Sequence, residues 1–111
     1  MIYDEKLATR IQKLLKGKRN ITEKKMFGGV AFLLDGKMFC GVIKDNLVVR
    51  IGPSFYQKAL EKPHVRPMDF SGKPMKGFVY VSSDGCKTAS ALLEWINSGI
   101  DYVCSLLQDS P

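Results

Sequence analysis

Apolar positions in the first part of the chain recur at the spacing of an α-helix. Four of them follow one another at offsets of four, three and one, which places them on one helical face: Leu7, Ile11, Leu14 and Leu15. Acidic residues come early in this stretch and lysines come late, as the helix macrodipole favours. The pattern predicts a helix over residues 3–17 with Gly17 at its C-terminal cap, followed by a polar connection, KGKRNITEKK.

The pattern then changes to that of strands joined by tight turns. Asp35-Gly36 separates two apolar stretches and favours a type I′ hairpin turn, because both central positions of that turn need positive φ. Asp45-Asn46 also tolerates left-handed backbone, so it predicts a turn between strands over residues 39–43 and 47–51. The three strands form an antiparallel meander.

The second half of the chain predicts two helices and two more strands. Ser54, with Pro53 just outside, is expected to cap a short helix that Pro63 stops. VRPMDF and GFVYVS read as strands around the turn SGKPMK, and Pro67 makes the first of them an edge or irregular strand. Thr88 or Ser90 could cap a final helix, which Gly99 weakens by about 1 kcal/mol relative to alanine. Its apolar stripe is Ala89, Leu92, Leu93, Ile96, Ile100, Val103 and Leu107.

The predicted element order is α-β-β-β-α-β-β-α. It indicates an α+β fold in which helices cover a mainly antiparallel five-stranded sheet. The chain has 111 residues and is 45% hydrophobic, which suits one core, so residues 1–111 are predicted to form a single domain. Neither an internal repeat nor a linker interrupts the pattern.

Composition bears on where the protein works. No apolar run approaches the roughly 18–20 residues that span a bilayer, and the N-terminus lacks the apolar segment of a signal peptide. Cys40, Cys86 and Cys104 are widely spaced and form no CxxC pair. We therefore expect a cytoplasmic protein that binds no membrane, with free thiols of which two fill core space. A single histidine argues against a structural zinc site, and no metal or cofactor is expected.

The glycine pair Gly28-Gly29 after Met26-Phe27 is the first candidate site. A phosphate loop needs GxxxxGK[ST], and a dinucleotide fingerprint needs GxGxxG before a helix; neither is present. A predicted strand, and no helix, comes directly after Gly29. We therefore expect MFGG to be structural, giving a bulge or a close backbone approach at the start of the first strand.

No catalytic constellation is legible in the sequence. His64 has no cysteine near it in sequence, and the aspartates stand mostly in turns without a spacing that pairs them. Cys86 lies before the last helix, where a helix N-terminus could lower its pKa, so it is a candidate reactive thiol. Simple burial of that thiol is the more common alternative.

Most of the positive charge lies near the N-terminus. The net charge is +6, and residues 1–25 contribute +5 of it, with eight bases against three acids. The candidate basic face consists of Lys6, Arg10, Lys13, Lys16, Lys18, Arg19, Lys24 and Lys25. This face is either a solvated surface or a site of electrostatic attraction to nucleic acid or another acidic partner. Aromatic residues that could stack on bases fall at core positions of the strands: Phe27, Phe32, Phe39 and Tyr80.

The stretch KKMFGGVAFLLDGKMFCGVIKDNLVVRIG resembles the N-terminal domain of the TfoX/Sxy family of bacterial competence regulators. ALEKPHVRPMDFSGKPMKGFVYVS and LLEWINSGIDY extend the resemblance, which runs from about Lys24 to Tyr102. The matching elements are a basic residue before Met26-Phe27-Gly28-Gly29, the turn Asp35-Gly36-Lys37-Met38-Phe39, the element Gly72 to Met75, and Leu93-Glu94-Trp95.

The resemblance implies a compact α+β domain of the secretion chaperone-like (YgaC/TfoX-N-like) group, and it implies no known enzymatic activity. Full-length competence regulators pair this domain with a C-terminal helical domain and act on transcription together with the cAMP receptor protein. The sequence ends at Pro111 without that second domain, so a stand-alone copy is expected.

The leading functional hypothesis is therefore a non-catalytic binding module. It would mediate protein–protein interaction in transcription regulation, with a transcription factor or an RNA polymerase assembly as partner, and would contact DNA weakly through the basic first helix. Two alternatives stay open. One is a small-molecule-binding protein or small enzyme with a pocket over the sheet, and the other is a self-associating homodimer.

Overall fold

The computed structural model describes residues 4–26, 28–70 and 73–108. They form three α-helices, one short 3₁₀-helix and six strands. The helices are α1 (Glu5–Leu15), α2 (Pro53–Leu60) and α3 (Ala89–Gln108), and the 3₁₀-helix is Ser83–Cys86. The strands are β1 (Ile21–Met26), β2 (Gly29–Leu34), β3 (Lys37–Ile43), β4 (Asn46–Arg50), β5 (Val65–Phe70) and β6 (Lys73–Val81). The α+β prediction is confirmed.

All six strands belong to one antiparallel sheet in the order β1-β2-β3-β4-β6-β5. Successive side chains of a strand point to opposite faces, so Val49 and Val48 on β4 lie in different clusters. Val49 belongs to the main core, which the apolar faces of the helices complete, including Ile11 of α1 and Ile96 of α3. Val48 belongs to a smaller cluster on the opposite face, with Tyr80.

The prediction of five strands is wrong, because all of β1 except Met26 lies within the stretch expected to be a polar connection. β1 pairs with β2 over its full length, from Ile21 opposite Leu34 to Met26 opposite Gly29. It occupies an edge of the sheet, and Thr22 through Lys25 are exposed. An edge strand with polar, lysine-rich side chains resists pairing with other chains, and it carries no hydrophobic alternation that could reveal it in the sequence.

The tight turns follow the expected chemistry with one shift of register. Asp35 and Gly36 have φ of 50° and 82°, which confirms the predicted hairpin turn. The next turn is wrong by one residue: Ile43 pairs with Asn46, so Lys44 and Asp45 form the turn, and Lys44 carries the positive φ of 55°.

The β5–β6 hairpin is tighter than predicted. Phe70 pairs with Lys73, so most of the segment expected to be a turn, SGKPMK, belongs to β6 instead. Residues 71 and 72 lie outside the described part of the chain. β5 occupies the second edge of the sheet and has an irregular register between Pro67 and Asp69, as the proline predicted.

One predicted helix cap is confirmed, one is displaced by a residue and one is wrong. The Ala91 N–H donates a hydrogen bond to Thr88 Oγ1 at 3.1 Å, so Thr88 caps α3. Lys16 is the C-cap of α1, and Gly17 follows it with a φ of 89°. Ser54 does not cap α2. Gly52 stands at the cap position without a side-chain hydrogen bond, and Pro53 is the first helical residue, where its missing N–H costs nothing.

The glycine pair belongs to the β1–β2 hairpin and not to the entry of the first strand. Gly28 has φ of 74°, Gly29 begins β2, and Phe27 lies outside the described residues. A Cβ on Gly29 would collide with the carbonyl oxygen of Val42 on the neighbouring strand β3. The backbones of β2 and β3 therefore approach too closely here for any side chain.

Candidate functional site

A groove of about 470 Å³ lies between α2 and α3. Its floor is apolar, since Ile51 and Ala59 are almost fully buried. Phe55, Trp95 and Tyr102 supply the aromatic part of its walls. The remaining lining residues are polar: Ser54, Lys58, Lys62, Ser98, Asp101 and Ser105. This volume lies within the usual range for small-molecule and side-chain pockets, roughly 300–1,000 Å³.

Helical periodicity explains how α3 presents this wall. Trp95, Ser98 and Tyr102 follow one another at offsets of three and four, so they share one face of the helix. Leu92 and Ile96 lie on the adjoining face and are buried in the core. One face of α3 thus packs in the core, and the adjoining face lines the groove.

The other wall comes from α2 and the residues after it. Phe55 is 62% exposed, although phenylalanine is usually buried, because the helix begins at Pro53 and turns this ring away from the core. Tyr56 and Ala59 of the same helix pack inward instead. Phe55 is thus an exposed aromatic side chain next to an apolar floor. Of the residues that line the groove, it is the one whose burial by a partner would remove the most apolar surface from water.

Cationic side chains lie against the aromatic rings of the groove. Lys62 Nζ is 5.2 Å from the ring centre of Trp95, and Arg50 Cζ is 5.5 Å from the ring centre of Tyr102. Each distance suits a cation–π interaction, worth about 0.5–1 kcal/mol at exposed sites. Lys58 adds a third cation, while Asp101 is the acid among the lining residues.

Close packing of α3 on the sheet fixes the position of the groove. A Cβ on Gly99 would collide with the carbonyl oxygen of Phe39 on β3. Besides its low helix propensity, Gly99 therefore has a packing role that the sequence did not predict, because the absent side chain lets α3 approach β3. Leu93 belongs to the predicted apolar stripe of α3, yet it is 38% exposed and lies outside the groove lining.

Sequence reasoning missed this groove. The alternative hypothesis placed a pocket over the sheet, whereas the groove lies between two helices. One signal was available: Trp95 and Tyr102 stand a heptad apart on α3, outside its apolar stripe. The contribution of α2 could not be foreseen, since nothing in the sequence specifies that α2 lies beside this face.

The candidate basic residues are spread over α1, the following connection and β1. Seven of the eight are exposed, and Arg10 is half-buried, donating a hydrogen bond from Nη2 to the carbonyl oxygen of Lys87 at 3.0 Å. Gln12 Nε2 donates to Glu23 Oε1 at 2.8 Å, which ties α1 to β1. Strand alternation puts Lys25 on the same face as Glu23 and Lys24 on the opposite face. A role for these residues in binding stays a prediction.

The surroundings of Cys86 do not favour a reactive thiol. Burial raises its pKa, the positive charge of Arg10 opposes that rise, and Asp4 adds to it. Of the two readings of Cys86, the structure therefore favours simple burial, because loss of hydration disfavours the charged thiolate. Burial also raises the pKa of Cys40, and Cys104 is only partly covered, so two of the three cysteines fill core space as predicted.

Other chemistry is sparse in the described part of the chain. Phe32, Phe39 and Tyr80 are buried, as their strand positions predicted, so their rings are not available to bases. No group of three or more histidine, cysteine, aspartate or glutamate side chains among residues 4–26, 28–70 and 73–108 could hold a metal ion. None of the helices in those ranges has the length and apolar character needed to cross a membrane.

The described residues thus define a small α+β domain with an aromatic, cation-rimmed groove between two helices. The family model described as the TfoX N-terminal domain matches residues 13–102, and the chain belongs to that family. Searches of curated proteins and of solved structures gave no match.

Proposed function

We propose that this domain is a non-catalytic protein-binding module of the competence-regulator type, and that its partner occupies the groove between α2 and α3. Membership of the TfoX N-terminal domain family supports the first part. The proposed setting is transcription regulation in the bacterial cytoplasm, with a transcription factor or an RNA polymerase assembly as partner. The proposal also assigns the fold to the secretion chaperone-like group.

One observation carries the proposal: an apolar floor with an exposed aromatic ring at its edge. Ile51 and Ala59 are buried beneath the groove, while Phe55 stays 62% exposed. Interfaces draw most of their binding free energy from a few aromatic and cationic residues around such a pocket. Serine hydroxyls at the rim, as at Ser98, can exchange hydrogen bonds with water for hydrogen bonds with a partner.

The enzymatic alternative has less support from the same surface. General acid–base chemistry needs at least two positioned polar groups with pKa values suited to the reaction. Asp101 is exposed on the groove rim, and the buried thiols of Cys40 and Cys86 lie outside the groove lining. The groove therefore favours binding over catalysis.

Two matched variants test the proposal. Phe55→Ser removes the exposed ring from the groove, and Leu93→Ser removes an exposed apolar side chain of α3 outside the groove lining. We expect a partner retained from the native host by the wild-type domain to be lost with Phe55→Ser and kept with Leu93→Ser. Equal loss with both variants, or recovery of only the domain itself, would reject the groove and favour self-association.

A second candidate function is weak contact with nucleic acid through the basic face. It is favoured by seven exposed bases on α1, its following connection and β1, in a region that holds +5 of the net charge of +6. Phosphate contacts release counterions, so the affinity for duplex DNA would fall steeply as salt rises.

A further inference from the structure

The charges around the groove indicate what kind of partner it would accept. Lys58 and Lys62 stand on its α2 side, and Arg50 lies over the ring of Tyr102. Asp101 is the opposing charge among the lining residues. The aromatic groove therefore has a positive rim over an apolar floor.

The cations are also held in place in a way that suits recognition. Lys62 lies 5.2 Å from the ring centre of Trp95, and Arg50 lies 5.5 Å from the ring centres of both Tyr102 and Phe78. A guanidinium or ammonium that already lies against a ring is less mobile than one in open solvent. It therefore loses less conformational entropy when it binds a carboxylate. Its remaining N–H groups can donate to that carboxylate.

We propose, building on the proposed function above, that the groove takes a short acidic peptide segment of a partner protein with an apolar anchor residue. The anchor contacts the floor at Ile51 and Ala59 and packs against Phe55. Flanking carboxylates accept hydrogen bonds from Lys58 and Lys62 of the groove lining, and Arg50, which lies against the ring of Tyr102 outside that lining, adds to the positive charge. The charges of the groove disfavour a basic segment, because that segment would put its own cations beside Lys58 and Lys62.

Asp101 provides a control in which the proposal predicts tighter binding and not weaker binding. If an acidic segment binds, Asp101 repels it, and Asp101→Asn should tighten binding by roughly twofold, the usual scale of one exposed charge. A variant that only disturbs the surface would weaken binding or leave it unchanged. The two signs separate recognition of an acidic segment from a general structural effect.

The probe is a short fluorescein-labelled synthetic peptide in which glutamates flank phenylalanine and leucine, followed by fluorescence anisotropy. Two comparison peptides replace the glutamates by lysines or the apolar residues by serines. We expect both to bind at least about tenfold more weakly than the probe, since each loses one of the two contributions. Lys58→Glu with Lys62→Glu should weaken the probe by about tenfold or more.

A charge-matched control is available outside the groove lining. Lys6→Glu with Lys13→Glu changes the net charge equally, and both residues are exposed on α1, outside the groove lining. We expect this variant to bind the probe within about twofold of wild type at physiological salt, where charges beyond about 8 Å are screened. Equal weakening by both double variants would overturn the proposal, as would preference for the lysine peptide.

Other occupants are separate outcomes of the same assay. Binding of fluorescein-labelled oligodeoxythymidylate that the unlabelled probe peptide competes away from wild type, and that is lost in Lys58→Glu with Lys62→Glu, would assign the groove to nucleic acid and overturn the proposal. Absence of probe binding would overturn it too. In that case a partner that is still lost with Phe55→Ser and kept with Leu93→Ser would leave the proposed function standing.

Discussion

At the scale of single residues, the absence of a side chain decides how elements pack. Gly29 lets β2 approach the carbonyl of Val42, and Gly99 lets α3 approach the carbonyl of Phe39. Neither requirement can be read from the sequence, because each depends on an atom many positions away. From the sequence alone, Gly99 only lowers the helix propensity of α3; its packing role appears once the contact with Phe39 is known.

Replacing Gly99 by alanine separates the two interpretations. Helix propensity alone predicts a gain of about 1 kcal/mol, whereas the contact with Phe39 predicts a net loss of about 1–3 kcal/mol from overpacking. Asn97→Ala is the matched control: it is exposed in the same helix and should gain about 0.5 kcal/mol. Urea unfolding measures both, and a stabilised Gly99→Ala variant would show that α3 does not pack this closely.

The thiols give a prediction with a defined pH dependence. Burial raises the pKa of both Cys40 and Cys86, so their neutral forms stabilise the fold fully below the ordinary thiol pKa of about 8.5. That contribution is lost as pH rises further, because the unfolded chain then releases its thiol protons more readily. We expect iodoacetamide at neutral pH to modify Cys104 first and Cys86 more slowly than a free thiol. Mass spectrometry reports the order, and early modification of Cys86 would contradict it.

At the scale of elements, the helices and strands with a periodic apolar pattern can be predicted from the sequence. Strand β1, which has no such pattern, cannot. The α1 stripe, the hairpin at Asp35-Gly36 and the cap at Thr88 all follow from local chemistry. β1 was missed because its side chains from Thr22 to Lys25 are polar and exposed, so its pairing with β2 leaves no apolar pattern in the sequence. The groove was missed for a related reason, since it arises where two separate helices meet.

Proline substitutions test whether β1 is present. The Asp35 N–H donates to the carbonyl of Asn20, so this opposed pair is hydrogen-bonded, and alternation assigns the Lys24 N–H to β2 and the Lys25 N–H to the free edge. Lys24→Pro should therefore lose about 1–3 kcal/mol, and Lys25→Pro less than about 1 kcal/mol. The two variants lose the same charge. Equal unfolding free energies would indicate that no strand pairs here.

At the scale of the whole molecule, two surfaces are candidates for binding a partner: the basic face and the groove. The basic face holds most of the net charge, yet its residues are divided among α1, the connection that follows it and both faces of β1. The groove holds fewer charges but combines them with exposed aromatic surface. Charge can attract many partners, whereas a shaped aromatic groove can select one.

Charge reversal distinguishes contact with DNA through the basic face from non-specific attraction. Lys13→Glu, Lys16→Glu and Lys18→Glu together bring the net charge from +6 to zero, and so do Lys44→Glu, Lys58→Glu and Lys62→Glu. All six lysines are exposed. If the basic face binds DNA, only the first variant should lose retention on immobilised duplex at low salt. Equal loss by both would mean that net charge alone explains the binding.

The central claim is that a protein partner binds in the groove between α2 and α3. Its most direct test is photo-crosslinking in the native host with benzoylphenylalanine placed at Phe55 or at Leu93, both of which are exposed. The claim predicts a crosslink to a different protein from position 55 and none to that protein from position 93. A crosslink from position 93 alone, or crosslinks from position 55 only to a second copy of the domain, would contradict it.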